Sequence, residues 1–226
     1  PFFMTSINIH RLYSHIFKIW RAKRMDQFDG MIQPQSSDLV LDVGGYPRTW
    51  KTGPQVPERI DCMSIHPIEW DAEAFPDHRI ITTVGDGCAL KEPDGSYDIL
   101  FSNSVIEHVG DWQNQVRLAS EVRRVGKKLW IQTPAGEYPI EPDYPAPFVH
   151  WLPVSVRRKM LRWFTPWGWI QKPSQEKVDE TIRFTRLLSK KQMTELFPDC
   201  EIITEQLLWI FPKSYVAWRL EPSETD

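Results

Sequence analysis

Residues 84–109, VGDGCALKEPDGSYDILFSNSVIEHV, carry the clearest structural signal in this 226-residue chain. One apolar run ends at Val84 and is broken by Gly85-Asp86-Gly87. Pro93-Asp94-Gly95 predicts a turn, because proline fixes φ and glycine adopts conformations closed to other residues. A second apolar run, residues 97–101, stops at Ser102-Asn103-Ser104. Strands that end in this way place a carboxylate and small polar groups at the carboxyl edge of an α/β sheet, where such sheets bind ligands.

Strands and helices alternate on both sides of this stretch. The pattern predicts strands over residues 38–43, 59–65, 79–84, 97–102 and 127–132, and helices over residues 111–124 and 189–197. Runs at 201–209 and 215–220 predict a terminal hairpin that turns at Phe211-Pro212-Lys213. We therefore expect an α/β fold with a doubly wound, Rossmann-like, seven-stranded sheet, mostly parallel, with an antiparallel C-terminal hairpin strand.

Two segments are additions to this sheet, an N-terminal helix within residues 1–30 and an insertion after the fifth strand at residues 135–177. We expect all of residues 1–226 to form one domain, since single cores stop growing only near ~250–300 residues. Residues 9–25 are amphipathic, and residues 1–25 hold five Lys or Arg and no acid. Either this helix packs over the sheet edge or it rests on a membrane surface.

Composition narrows the class of protein. The formal net charge of −3 gives no reason to expect nucleic acid as a partner. Cys62, Cys88 and Cys200 are widely separated, which suits a reduced compartment, and we expect no metal site. No apolar run approaches the ~20 residues that span a bilayer. Basic residues closely follow the first apolar residues, so we expect no signal peptide in this sequence. We expect a cytoplasmic protein, with peripheral contact at the inner face of a membrane as the alternative.

Residues 84–109 resemble the class I S-adenosylmethionine-dependent methyltransferases, in particular the type 11-like branch that acts on small molecules and lipids. The pattern GDA…LP…DGSFDVVFSNSVLEHV recurs in that branch. Leu39-Val40-Leu41-Asp42-Val43-Gly44-Gly45 is similar to the first motif of the same family, a strand that ends in an acid and a glycine-rich turn. The resemblance implies S-adenosyl-L-methionine as cofactor and methyl transfer as the reaction.

The resemblance also implies a set of cofactor-binding residues. Ser102 and Asn103 match the segment beneath the sulfonium, and Asp86 matches the residue that accepts the adenine amino group. The remaining members are Asp42, Gly44, Gly45, Ser64, Ile65, Gly87 and Cys88.

Two departures from the family pattern affect this site. Tyr46-Pro47 follows the glycines, so the helix after the first strand should be short or distorted. Ser64 occupies the position at which the family usually has an acid that binds both ribose hydroxyls. Asp61 should point to the other face of the strand.

Catalysis of methyl transfer depends largely on alignment and desolvation, so a general base is not obligatory. If the acceptor is a hydroxyl, a base within hydrogen-bond reach helps, and His108 and His150 are the candidates. Each also has a structural explanation. His108 could be a polar residue at a helix start, and His150 a packing residue in an aromatic loop.

We expect the insertion to select the methyl acceptor. Five prolines between residues 139 and 153 exclude a long regular element, and a short basic helix is predicted over 154–164. Residues 151–172 contain four Trp, five Lys or Arg and no acid, a composition that suits a bilayer interface, a substrate clamp or a dimer interface.

Three hypotheses on function stay open. The first is methyl transfer to an oxygen of a small-molecule, glycan or lipid-linked metabolite. The second is a cofactor-binding scaffold without catalysis, and the third is a peripheral membrane or partner-binding module.

Overall fold

The computed structural model describes residues 9–52, 57, 59–70, 79–141, 146–207 and 210–220. Its strands are β1 (Leu39–Val43), β2 (Arg59–Ser64), β3 (Arg79–Val84), β4 (Tyr97–Asn103), β5 (Gly126–Pro134), β6 (Ile140–Glu141), β7 (Ala146–Pro147), β8 (Glu201–Leu207) and β9 (Phe211–Arg219). Seven of them form one sheet in the order β3-β2-β1-β4-β5-β9-β8. Strands β1 to β5 pair in parallel, and β9 is antiparallel to both β5 and β8. The expected fold class is confirmed.

The helices are α1 (Ile9–Ile32), α2 (Trp112–Val125), α3 (Val154–Trp163), α4 (Pro166–Gln171), α5 (Gln175–Phe184) and α6 (Lys190–Leu196). Asp111 caps α2 by accepting from the Asn114 backbone, and Ser189 forms a capping box with Gln192 at the start of α6. Among the described residues, no helix is long and apolar enough to cross a membrane.

Successive side chains of each strand point to opposite faces of the sheet, so the core has two layers. Leu41, Val43 and Leu100 face α2 and α6, whereas Val40, Phe101 and Trp130 face α1. Phe28 of α1 is buried, and its ring lies 5.1 Å from Phe101 and 5.7 Å from Trp130 in edge-on contact. Burial of such a side chain stabilises the fold by about 1.5–3 kcal/mol, so the C-terminal half of α1 is part of the core. This arrangement agrees with the expectation that the helix packs over the sheet.

The structure corrects the predicted turn of the terminal hairpin. Strand β9 begins at Phe211, and Pro212 pairs with Gln206 inside the ladder, so the turn is not at Phe211-Pro212-Lys213. A register shift between Glu205 and Gln206 accompanies this proline, which has no N–H to donate. Residues 208 and 209, the end of the predicted first run, lie outside the described residues.

Helical content is also larger than predicted. Helix α1 continues to Ile32, beyond both the amphipathic pattern over residues 9–25 and the predicted N-terminal segment 1–30. Residues 1–8 of that segment lie outside the described residues. In the insertion, the predicted helix over 154–164 is present as α3, but α4 and α5 follow it. Lys177, the expected end of the insertion, lies inside α5. Thr165 and Ser174 are the N-caps of these two extra helices. Ser or Thr at such a position is a sequence signal for a helix start.

Candidate active site

The predicted cofactor residues come together at one edge of the sheet. Because β1 to β4 are parallel, their carboxyl ends meet there, with Ser64 opposite Val84 in the register. Backbone bonds join the turns: Gly44 donates to Met63 at 2.7 Å, and Gly85 donates to Ser64 at 3.0 Å. The edge therefore consists of four successive loops, which carry residues 42–45, 64–65, 85–88 and 102–104.

Asp42 is the most unusual group of this edge. Its side chain is fully buried, and Oδ2 accepts from Trp50 Nε1 at 2.8 Å. Burial raises the pKa of Asp42 to about 7 against the opposing effect of that bond. Among the described residues, Oδ1 has no hydrogen-bond partner. A buried carboxylate oxygen without a donor is costly, so this atom is suited to receive a cationic donor from a ligand.

The glycines of the first motif are required for local packing. Gly44 has φ +73°, in the left-handed region, and a Cβ there would lie 2.4 Å from Val105. A Cβ on Gly45 would lie 1.8 Å from the Asp42 carboxylate. The glycine turn thus leaves room for Asp42 and Val105. A short 3₁₀ helix, Pro47–Thr52, follows it, as the departure at Tyr46-Pro47 predicts.

The second strand ends without a carboxylate. Ser64 is partly exposed, and its Oγ accepts from the His66 backbone at 3.3 Å. Ile65 is exposed. Asp61 is buried on the opposite face, where it accepts from Tyr97 at 2.7 Å and pairs with Arg59. The prediction that Asp61 points away from Ser64 is confirmed.

The loop after β3 contains an internal hydrogen bond. Asp86 is exposed, and its Oδ1 accepts from the Cys88 backbone at 2.9 Å. A Cβ on Gly87 would lie 2.7 Å from both Leu118 and Val43, so this glycine allows α2 to pack on β1. Burial raises the pKa of Cys88 to about 11, and the thiol is therefore not a nucleophile at neutral pH.

Ser102 and Asn103 have different environments. Ser102 is buried, and its Oγ donates to the Val43 carbonyl at 3.0 Å, which ties β4 to β1. Asn103 Oδ1 accepts from Arg24 Nη1 at 2.7 Å. The Arg24 guanidinium also donates to Glu205 at 3.1 and 3.3 Å. Helix α1 therefore holds Asn103 in place, a contact that sequence patterns did not indicate.

His108 lies on the 3₁₀ helix Ile106–His108 between β4 and α2. Its Nε2 is 4.0 Å from Glu107 Oε1, and the side chain is 39% exposed. Glu107 is buried, and its Oε2 accepts from Thr133 at 2.9 Å. This carboxylate can stabilise positive charge that develops on the ring during proton transfer.

His108 also lines a cavity of about 740 Å³ between the sheet edge and the insertion. Ile65 forms part of the same wall, and the opposite wall consists of residues from α4, α5 and the segments around them. These are Trp167, Gln171, Lys172, Pro173, Ser174, Lys177, Glu180, Thr181, Phe184 and Thr185. Sequence reasoning missed the α5 side because the insertion was expected to end at Lys177.

His150 is held elsewhere in the insertion and is not among the residues that line this cavity. It lies on the 3₁₀ helix Val149–Trp151, and its Nε2 is 3.3 Å from the Gly136 carbonyl. Burial lowers the pKa of His150. The structure thus separates the two candidate bases, and only His108 is at the cavity.

The acceptor groups of the edge fit S-adenosylmethionine. Asp42 has a buried carboxylate oxygen that would suit the ammonium group, and Asp86 and Ser64 have exposed acceptor atoms that would suit the adenosine portion. Within the described residues, the sheet order, the antiparallel β9 and these loops define the class I S-adenosylmethionine-dependent methyltransferase architecture.

Comparison with known proteins finds a similarity to methyltransferases in the central part of the chain. Residues 62–129 match the model of a family described as "Methyltransferase domain". Residues 62–129 therefore carry a methyltransferase-domain signature, and the methyl donor that this signature implies is S-adenosyl-L-methionine. No curated protein matches the chain in sequence.

Solved structures agree on the fold. A S-adenosylmethionine-dependent methyltransferase from Methanosarcina mazei is 16% identical with TM-score 0.50, over 82% of this chain and 92% of that one. The N-methyltransferase NodS from Bradyrhizobium japonicum is 11% identical with TM-score 0.51, over 92% and 97%. A Rhodobacter sphaeroides chain named as a Zn-dependent alcohol dehydrogenase is 14% identical with TM-score 0.56, over 87% of both chains. At these identities the likeness shows the fold alone.

Proposed function

We propose that this domain transfers a methyl group to a hydroxyl oxygen of a small-molecule, glycan or lipid-linked metabolite held in the cavity beside His108. The observation that carries the proposal is the composition of that cavity. One wall holds Ile65, which follows the predicted ribose-binding position, and His108, whereas α4 and α5 form the other wall. A cavity of about 740 Å³ is within the range of small-molecule sites.

The proposed chemistry assigns one role to His108. S-adenosylmethionine, when bound, supplies a methyl group on a positively charged sulfur. His108 accepts the proton of the acceptor hydroxyl as the oxygen–methyl bond forms and the methyl–sulfur bond breaks. Glu107 stabilises the imidazolium, and Thr133 holds Glu107 in position. Trp167 and Phe184 exclude water from the acceptor and align it.

The cofactor set proposed from the motifs is Asp42, Gly44, Gly45, Ser64, Ile65, Asp86, Gly87, Cys88, Ser102 and Asn103. The structure supports two kinds of role within this set. Asp42, Ser64 and Asp86 provide acceptor atoms for the ligand. The glycines and Ser102 shape the edge through their contacts with Val105, Leu118 and the Val43 carbonyl.

The test has two stages. Calorimetry should detect binding of S-adenosylmethionine and of its demethylated product, and an Asp86→Ala variant should bind about 5- to 150-fold more weakly, the equivalent of about 1–3 kcal/mol. Cofactor labelled in the methyl group is then incubated with extracts of small molecules and lipids, and the labelled product is identified by mass spectrometry and NMR. Label on oxygen supports the proposal, and label on nitrogen or carbon contradicts it. Binding without turnover on any extract identifies a cofactor-binding scaffold instead.

A further inference from the structure

Helices α3 and α4 expose a group of large apolar side chains at the end of the insertion. This group, the α3–α4 patch, consists of Trp163, Phe164, Trp169 and Ile170, which are 61, 68, 62 and 57% exposed. The indole Nε1 of Trp169 donates to the Trp163 carbonyl at 2.6 Å, so the two helices present one continuous surface. A contiguous exposed apolar patch of this kind marks an interaction surface.

Cations surround the patch. Lys159 lies one turn before Trp163 on the same face of α3, and the Arg162 guanidinium lies 5.0 Å from the Trp163 ring centroid. Lys172 follows α4 and is exposed. Within the part of the chain that the structure describes, none of these three cations forms an ion pair, and no acid occurs in the sequence between residues 146 and 175.

Between residues 146 and 184, acidic side chains occur only on the neighbouring helix α5, and two of these three side chains form ion pairs. Asp179 binds Arg158 at 2.6 Å, and Glu180 binds Lys177 at 2.8 Å. Glu176, in the first turn of α5, is exposed. The patch and its border therefore carry an excess of positive charge.

We propose that the α3–α4 patch docks on the surface of a bilayer that contains anionic lipid. Trp and Phe side chains are favoured at the depth of the lipid headgroups, and Lys and Arg extend from there to the phosphates. A second copy of this chain is a poorer occupant, because a two-fold contact would bring Lys159, Arg162 and Lys172 against their own copies. Charge complementarity thus selects an anionic lipid surface.

Helix α4 connects this surface to the cavity. Trp167 and Gln171 line the cavity, whereas Trp169 and Ile170 of the same six-residue helix belong to the patch. If the cavity holds the acceptor, as the proposed function states, docking places its wall beside the bilayer. Lipid-linked acceptors are then favoured over freely soluble ones.

The test is co-sedimentation of the full chain with vesicles of phosphatidylcholine, with and without a third of the lipid replaced by phosphatidylglycerol. Wild type should bind the anionic vesicles, and high salt should weaken binding. The F164S/I170S variant should lower the partition coefficient at least about tenfold. Its matched control is Leu220→Ser, since Leu220 is 46% exposed and follows Arg219, which pairs with Leu129 near the amino ends of the parallel strands.

A charge variant makes the test independent of the apolar substitutions. Lys159→Glu should weaken binding about fivefold or more, and Lys91→Glu, at an exposed lysine near the C-terminal end of α2, should leave it unchanged. If wild type binds neutral and anionic vesicles equally well, charge has no role in docking. If wild type does not bind anionic vesicles, the proposal is wrong. A dimer in light scattering that F164S/I170S dissociates would identify the patch as a contact between copies. Cofactor calorimetry is independent of these results and tests the proposed function separately.

Discussion

The two sides of the candidate cleft differ in how they are built. On the cofactor side, three of the predicted residues are fixed by buried contacts: Asp42 by Trp50, Gly44 against Val105, and Ser102 by the Val43 carbonyl. On the insertion side, short capped helices present exposed side chains to the cavity and to solvent. Substitutions on the first side should therefore change stability together with binding. Substitutions on the second should change activity or docking and leave the fold intact.

The largest expected effect is the pH dependence that Asp42 introduces. Burial raises its pKa from 3.8 to about 7, so the folded protein binds a proton that the unfolded chain releases between these values. The free energy of unfolding should fall by up to about 4 kcal/mol from this group as the pH rises from 4 to 7, and should change no further above 7.

The measurement is urea unfolding at a series of pH values for wild type and Asp42→Asn. The Asn variant keeps an acceptor for Trp50 but cannot titrate. The difference between the two curves should therefore change over this window and be flat above it. Parallel curves for the two proteins would show that Asp42 ionises normally.

The second effect is steric and tests the packing on the cofactor side. Gly45→Ala puts a Cβ 1.8 Å from the buried Asp42 carboxylate, and it should lower the free energy of unfolding by about 3 kcal/mol. Gly30→Ala is the control, because a Cβ there meets nothing within 4 Å and Gly30 lies in α1. This variant should be neutral or more stable by about 0.5–1 kcal/mol. Equal losses in both variants would remove the role assigned to Gly45.

The third effect concerns turnover and compares the two histidines. His108→Gln should lower kcat about 100-fold while the affinity for cofactor stays the same, because only proton transfer is lost. His150→Gln is the matched variant, and its effect on kcat should be smaller. The Nε2 atom of His150 lies 3.3 Å from the Gly136 carbonyl, and His150 does not line the cavity. If His150→Gln has the larger effect, the acceptor binds elsewhere in the insertion.

The contrast between the two sides also explains what could be predicted from the sequence. Asp42-Val43-Gly44-Gly45 and residues 84–109 are local patterns, in which neighbouring residues fix a strand end and a turn, so the sheet and its edge could be predicted. The Arg24–Asn103 contact joins residues 79 positions apart, and even the Trp50–Asp42 contact spans eight residues, so neither pair follows from a local pattern. The sequence pattern does not predict helix α5, although Ser174 is a good N-cap, because the prolines of the insertion argue against regular structure. The cavity depends on that helix and so could not be predicted.

The smallest expected effect tests whether α1 supports the cofactor side. Arg24 is 12% exposed and joins Asn103 to Glu205, which also pairs with Lys213 at 3.3 Å. Burial opposes ionisation of Glu205, but these cations outweigh it and lower its pKa from 4.5 to about 2. Arg24→Gln removes the stronger partner and should destabilise the fold by about 2 kcal/mol near pH 7.

The pH dependence of this loss separates an ionic role from packing. Because the folded-state pKa of Glu205 is lowered, its contribution is complete above pH 4.5 and is lost as the pH falls through about 2. The difference between wild type and Arg24→Gln in urea unfolding should therefore shrink as the pH is lowered over this range. A loss that stays constant at low pH would assign Arg24 a packing role only. Since Arg24 also holds Asn103, cofactor affinity should fall in the variant if α1 positions that residue, whereas Lys128→Gln, which removes a similar pair with Asp38, should leave affinity unchanged.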